Sequence, residues 1–332
     1  MPPARRTTST VASKLRGGID LGGTKIEAIV VDEHNKVLGS ARHPTPTEGG
    51  PADVAEEMTG ALTEAAQAAE VSTGELLGVG VGSPGAVDSA AGTVADARNL
   101  PGWTGSFPLG QTLFAKLGAT VTIGNDVQVA TDAEFHLGAG KPYDSLLGVF
   151  WGTGVGGGII LDGRPWHGRG GAGEIGHMVV KDGGRLCGCG NHGCMEAYAG
   201  RASMERRARK LVSKGRHTKL FDIMEKRGRQ RLTSSVWGRA LEHDDEVATE
   251  LISEAIEALG AGIASAVNLL DIPAVIIGGG LGVRFGERYV RRIEKAMQPH
   301  LFVGHRPPEV HLVGLGDLGG AIGAALQVLN GS

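Results

Sequence analysis

The sequence predicts an α/β protein made of two related halves. Three observations carry this. Short apolar strands alternate with helical segments along the chain, the signature of α/β layers. Two stretches, GIDLGGTKIEAIVVDEHNKVLG at 18–39 and GVFWGTGVGGGIILDGRPWHG at 148–168, both read strand, glycine turn, strand, polar turn. Glycine, 56 of 332 residues, is far above its usual share and clusters between apolar segments with no Gly-X-Y period, which excludes collagen. A hairpin opening each half implies a duplicated fold with a cleft between the halves, and a boundary near Gly124.

The elements follow in order. Residues 17–21 and 26–31 are expected strands around a glycine turn, and 36–42 a third. The alanine-rich stretch 52–70 reads as a helix, 76–81 and 121–125 as buried strands, and 127–137 has helical spacing. Strands return at 146–151 and 158–161 around the second glycine turn. Residues 246–270 form a long helix, stopped by Asp271-Ile272-Pro273 because proline cannot continue it. A strand at 274–277 leads into Gly278-Gly279-Gly280, 310–313 is the last strand and 318–329 the last helix. Residues 201–245 are charged and helical and read as a solvated face.

Composition narrows the partners. A net charge of −3 with mixed signs argues against nucleic acid or an anionic membrane, and 4% aromatic residues against a stacking platform. The longest mainly apolar stretch, 258–270, is too short to span a bilayer. The basic N-terminus MPPARRTTSTVASKLR has no apolar signal core and reads as a disordered tail, with a transit peptide as the alternative. All three cysteines lie between 187 and 194, so there is no disulfide framework and a reducing cytoplasm is the expected location.

Residues 152–157, G-T-G-V-G-G, match the dinucleotide pattern G-x-G-x-x-G, but that motif must open a helix and here a strand follows. The protein-kinase and Walker patterns are absent. What remains is two hairpin tips that join glycine to threonine, Asp20-Leu21-Gly22-Gly23-Thr24-Lys25 and Gly152-Thr153-Gly154. Bare backbone N–H groups can bend around phosphate oxygens. Thr24 and Thr153 add hydroxyls, Lys25 a positive charge, and Asp20 a carboxylate for Mg²⁺, directly or through water. The alternative of two ordinary tight turns is outweighed by their repeated wording.

Asp126 follows a strand's C-terminal edge, where open α/β sheets meet ligands, and suits acceptance of a hydroxyl proton in phosphoryl transfer. Its alternative role is to cap a helix beginning near Val127. His177, Cys187, Cys189 and Cys194 form the pattern H-x9-C-x-C-x4-C, a closed Cys₃His set for structural Zn²⁺. Glu174 and Glu196 flank it and can accept hydroxyls from one polyol, while His177 turns one ring nitrogen to zinc and the other to the sugar.

The segments GIDLGGTK (18–25), GVGSPGAVD (80–88), NLPGW (99–103), GND (124–126), GTGVGGGII (152–160), GEIGH (173–177), CGCGNHGCMEAYAG (187–200) and IIGGG (276–280) stand in this order. With them the sequence resembles the repressor/open-reading-frame/kinase family of sugar kinases, within the actin–hexokinase superfamily. The resemblance implies a two-lobed, ribonuclease H-like fold with a cleft. It divides the chain into a tail at 1–16, a first lobe at 17–124 rejoined by a helix at about 315–330, and a larger lobe at 125–314 carrying the zinc loop.

It also implies roles. Gly18, Ile19, Asp20, Leu21, Gly22, Gly23, Thr24 and Lys25, with Gly152, Thr153, Gly154, Val155, Gly156, Gly157, Gly158 and Ile159, would hold the ATP phosphates with Mg²⁺. Gly278, Gly279 and Gly280 would lie near the nucleoside. Asp126 would be the general base on the sugar's primary hydroxyl, and Asn99, Asn125, Asp126, Glu174, His177 and Glu196 would bind the sugar. His177, Cys187, Cys189 and Cys194 would hold zinc, and a homodimer is the implied assembly. NLPGW with AGEIGH is most similar to the bacterial glucokinases, which makes glucose the expected acceptor. N-acetylhexosamine, mannose and fructose kinases, and polyphosphate as donor, are the alternatives within the family. A sugar-responsive repressor is disfavoured, since about 16 residues precede Gly17, fewer than a helix-turn-helix module takes.

Overall fold

The computed structural model describes residues 14–97 and 99–330. Of the expected tail, 1–13 lie outside the described residues, and Arg16 already belongs to the first strand. The chain divides into two compact units, Met1–Asp126 with Gly320–Ser332, and Val127–Gly319. The division falls two residues beyond the 124/125 boundary read from the sequence, and the return at Gly320 instead of near 315.

The first unit holds β1 (Arg16–Leu21), β2 (Lys25–Val31), β3 (Val37–Pro44), α1 (Pro51–Ala68), β4 (Gly78–Ser83), β5 (Ala86–Asp88), β6 (Thr93–Ala95), β7 (Ser106–Phe107), α2 (Leu109–Leu117) and β8 (Val121–Asn125). Its main sheet runs β3-β2-β1-β4-β8; the β1, β2 and β3 pairings are antiparallel and β4 and β8 join in parallel. The strands β5, β6 and β7 form a small sheet that the sequence reading did not foresee.

The second unit begins within α3 (Asp126–Leu137), which opens at Asp126 and not at Val127 as expected. Then come β9 (Leu146–Trp151), β10 (Val155–Leu161), β11 (Arg164–Pro165), α4 (Glu196–Ala199), α5 (Arg201–Val212), α6 (Leu220–Lys226), α7 (Ser234–Glu242), α8 (Glu246–Leu270), β12 (Ala274–Gly278), α9 (Gly279–Phe285), α10 (Glu287–Met297) and β13 (Glu309–Leu312). The helix α11 (Gly319–Asn330) carries the chain back into the first unit. The second sheet runs β11-β10-β9-β12-β13, the same order and strand directions as the first. The repeat read from two hairpins is thus a repeat of whole sheets.

Each unit has its own core. Ile19, Leu21, Ile26, Met58 and Leu62 are buried in the first, and Trp151, Trp237, Leu251, Ile263 and Ile277 in the second. Segment 201–245 is not only a solvated face, because Met204, Leu220, Leu232, Val236 and Trp237 from it are fully buried. α8 starts at Asp245, whose side chain accepts from Ala248 N–H, and stops where Asp271 turns left-handed ahead of Pro273. Among the described residues no helix is long and apolar enough to cross a membrane.

Glycine serves packing in this fold. A methyl group at Gly80 would lie 1.6 Å from the Ala324 carbonyl oxygen, and one at Gly18 would lie 2.0 Å from that of Ala321. α11 therefore rests backbone-to-backbone on β1 and β4. In β10, side-chain positions at Gly156 and Gly158 would strike Val127 and Thr131 of α3, while that at Gly157 would strike Ile175. The alternation follows the two-residue period of a strand.

Candidate active site

In the first unit, the β1–β2 turn is held by its own strand ends. Gly22 N–H donates to the Lys25 carbonyl at 2.9 Å, and the Thr45 hydroxyl donates to the Gly22 carbonyl at 2.6 Å. Asn99 lies beside the tip, its Nδ2 3.1 Å from where a Gly23 side chain would begin. Gly18, Ile19 and Leu21 are buried residues of β1, Gly18 and Ile19 paired on both sides and Leu21 with β2, so only the end of the motif reaches the turn.

Asp20 is the half-buried carboxylate at the end of β1. Burial pushes it up to about 6; Lys25 opposes this shift and Glu27 adds to it. A side chain at Gly320, in the first turn of α11, would begin 2.7 Å from the Asp20 carboxylate. Lys25, read from sequence as a cation for phosphate, is ion-paired at 3.2 Å with buried Glu27, which also accepts from Arg42 Nε at 2.6 Å. Asn125 is the last residue of β8 and Asp126 the first of α3. Asp126 thus sits in the helix's first turn, where the macrodipole favours a carboxylate.

In the second unit the turn is Gly152-Thr153-Gly154 alone, because Val155, Gly156, Gly157, Gly158 and Ile159 are ladder residues of β10. The Gly152 and Thr153 carbonyls accept from the N–H groups of Arg201 and Ala202 at 3.1 Å each, which fixes the tip to the start of α5. Gly278 ends β12, and Gly279 and Gly280 open α9 with Gly279 at φ 79°. A side chain at Gly152 would begin 3.8 Å from Gly280 N, so these two glycine runs meet.

The four predicted metal ligands come together. The His177, Cys187, Cys189 and Cys194 donor atoms all lie within 4.8 Å of one another. Cys189 Sγ is 3.7 Å from Cys194 Sγ, and Cys187 Sγ is 3.8 Å from His177 Nδ1. A zinc tetrahedron with ~2.3 Å arms to sulfur has edges of about 3.6–3.8 Å, which these two separations match, and three thiols with one imidazole are the donor chemistry that ion takes. Burial pushes the Cys187 thiol up to about 12, a penalty that a coordinated cation reverses by holding the thiolate. The loop's fold depends on Gly193, at φ 81°, where a side chain would begin 1.8 Å from the Lys181 carbonyl oxygen.

The two flanking carboxylates differ. Glu174 is exposed, with Oε2 3.9 Å from His177 Nε2, the ring nitrogen turned away from the thiols. Glu196 is half-buried; its Oε2 accepts Val155 N–H at 3.0 Å and its Oε1 is 3.8 Å from Cys187 Sγ. A side chain at Gly154 would begin 2.2 Å from that Oε2, so Gly154 makes room for Glu196. This carboxylate joins the metal loop to the strand that follows the Thr153 turn.

A family model described as the ROK family matches residues 16–330. The chain belongs to the ROK family. The glucokinase of Streptomyces coelicolor is 32% identical over 312 residues, 93% of this chain and 95% of its own. The N-acetyl-D-glucosamine kinase of Haemophilus influenzae is 29% identical over 324 residues, 94% and 98% of the two chains. The crystal structure of a ROK family glucokinase from Streptomyces griseus, in complex with glucose and AMPPNP, is similar with a TM-score of 0.81 and 32% identity, covering 95% of this chain and 99% of that one.

One polar residue of this ROK site escaped the sequence reading. Arg201 opens α5 and donates to the Thr153 hydroxyl at 2.8 Å and the Ser234 hydroxyl at 3.3 Å. It opens the charged stretch 201–245, which the sequence presents as a solvated face. The available signal was its position, since a cation at a helix N-terminus opposes the macrodipole.

Proposed function

We propose that this sugar kinase of the ROK family transfers the terminal phosphoryl group of ATP to the primary hydroxyl of glucose. The observation that carries the reading is Asp126, a carboxylate at the C-terminal end of a parallel strand and in the first turn of a helix. Asp126 accepts the hydroxyl proton as the sugar oxygen attacks phosphorus. Asn99 and Asn125, with Glu174, His177 and Glu196, hold the other hydroxyls. The Gly23 and Thr24 N–H groups of one turn, and those of Thr153 and Gly154 of the other, bind phosphate oxygens. Mg²⁺ arriving with ATP neutralises phosphate charge, and Asp20 is the carboxylate suited to hold it. Zn²⁺ on His177, Cys187, Cys189 and Cys194 stiffens the loop that carries the sugar-binding carboxylates, and with four protein ligands it has no open position for chemistry. The expected homodimer belongs to the same proposal.

Glucose as acceptor draws support from the Streptomyces coelicolor relative and from the neighbour that holds glucose and AMPPNP. The test is ADP release measured across glucose, mannose, fructose, N-acetylglucosamine and N-acetylmannosamine, with ATP and with polyphosphate. Glucose with ATP is expected to give the highest kcat/KM. A higher value for an N-acetylated sugar would replace glucose as the acceptor.

A further inference from the structure

We propose that Arg201 is a ligand for the phosphate chain of the donor nucleotide, a role that rests on the kinase reading above. Its guanidinium is held between Thr153 Oγ1 and Ser234 Oγ, at 2.8 and 3.3 Å. A guanidinium presents five N–H donors in a planar fork that matches phosphate. Two hydroxyls satisfy part of that fork and none of its charge.

No carboxylate lies within ion-pair distance of Arg201 among the described residues. Glu205, one turn along α5, gives Oε1 to Arg209 at 2.7 Å and Oε2 to Leu232 N–H at 2.9 Å. Three effects oppose the cation. Burial lowers the Arg201 pKa, an effect that the attraction of Glu205 offsets only in part; Arg231 adds like-charge repulsion, and the residue sits at the positive end of a helix. One anion beside it relieves all three. Glycines flank the guanidinium's hydroxyl partners: a side chain at Gly280 would begin 3.1 Å from Ser234 Oγ, and one at Gly152 would begin 3.8 Å from Gly280 N, so this face presents backbone and no bulky side chain. The Thr153 hydroxyl that holds Arg201 belongs to the turn assigned to phosphate, so the guanidinium stands where a nucleoside triphosphate carries its charge.

The test separates phosphate binding from support of the turn. Binding of ATP, ADP and adenosine is titrated to the wild type and to Arg201→Gln, with KM for glucose and the melting temperature beside it. A lost charge-assisted contact is expected to weaken ATP roughly 10- to 100-fold, with adenosine unchanged and the glucose KM within about twofold. Equal losses for ATP and adenosine would reduce Arg201 to a prop for the Thr153 turn, and unchanged ATP binding would also overturn the proposal. Should Arg201→Gln not fold, Arg201→Lys keeps the charge and loses the fork. It is then expected to lose several-fold in ATP affinity alone, and no loss, or an equal loss for adenosine, sinks the idea. Wild-type protein that binds none of the three nucleotides would overturn the kinase reading itself.

Discussion

Asp20 is the penultimate residue of β1 and Asp126 directly follows β8, and their surroundings ask different things of them. Asp126→Asn keeps shape and removes the proton acceptor, so kcat should fall by about 10²–10⁴ while sugar binding survives. Near-normal kcat would leave Asp126 with only its place in the first turn of α3. Asp20 is raised by burial to about 6 from 3.8. Its folded pKa lies above the unfolded one, so the stability it contributes is complete below pH 3.8 and is lost as pH rises through 6. Above pH 7 its ionised form costs the fold no more than about 3 kcal/mol. Asp20→Asn should therefore melt higher than wild type at pH 8, match it near pH 4, and lose activity with Mg²⁺·ATP at both. An Asn variant less stable at pH 8 would refute this account of the carboxylate. Lys25 shows where reading residues singly falls short. Its partner Glu27 is two residues away on the same strand face, a relation visible only once the strand is fixed.

At the scale of elements, the glycine runs were legible as turns but not as packing surfaces. The sequence placed a turn across 152–157, and the structure ends it at Gly154, because Gly156, Gly157 and Gly158 let α3 and the Ile175 segment approach β10. What a side chain would strike depends on neighbours distant in sequence. The small β5-β6-β7 sheet was unreadable for another reason, since strands of two or three residues carry no period. Glu196 was legible as a carboxylate near metal ligands, but its bond to Val155 N–H was not. That bond separates two substitutions. Glu196→Gln retains an acceptor for Val155 and loses charge, so the glucose KM should rise about 10- to 100-fold with the ATP KM near wild type. Glu196→Ala frees the strand after the Thr153 turn as well, and should raise both. Identical KM patterns for the two variants would argue that Glu196 has a single role.

For the whole molecule, duplication was legible because each unit opens on the same hairpin, and hairpins are local. The shared strand order was less so, because the connections differ. One helix, α1, links β3 to β4, whereas the metal loop and five helices separate β11 from β12. The metal loop is the part of the second unit with least regular structure of its own. Outside its donor cluster, residues 177–194 are tied by the isolated bridges Val179 to Cys194 and Leu186 to His192, by turn hydrogen bonds such as Cys187 N–H to the Asn191 carbonyl, and by Arg185, which pairs with Glu254 of α8 and donates its backbone N–H to the Tyr198 hydroxyl. A metal there contributes its binding free energy directly to the order of the loop. Purified protein is therefore expected to carry one zinc per chain by elemental analysis. Removing it with a strong chelator, or by Cys189→Ala, should speed amide exchange across 177–194 and in α4, and abolish glucose binding. Exchange in β1, β2 and β4 of the first unit should stay as it was, because the core around Ile19, Leu21 and Ile26 contains no residue of that loop. Faster exchange everywhere would mean that the metal stabilises the chain globally and not the sugar loop. Protein that holds no zinc yet phosphorylates glucose at full rate would remove the metal from the account altogether.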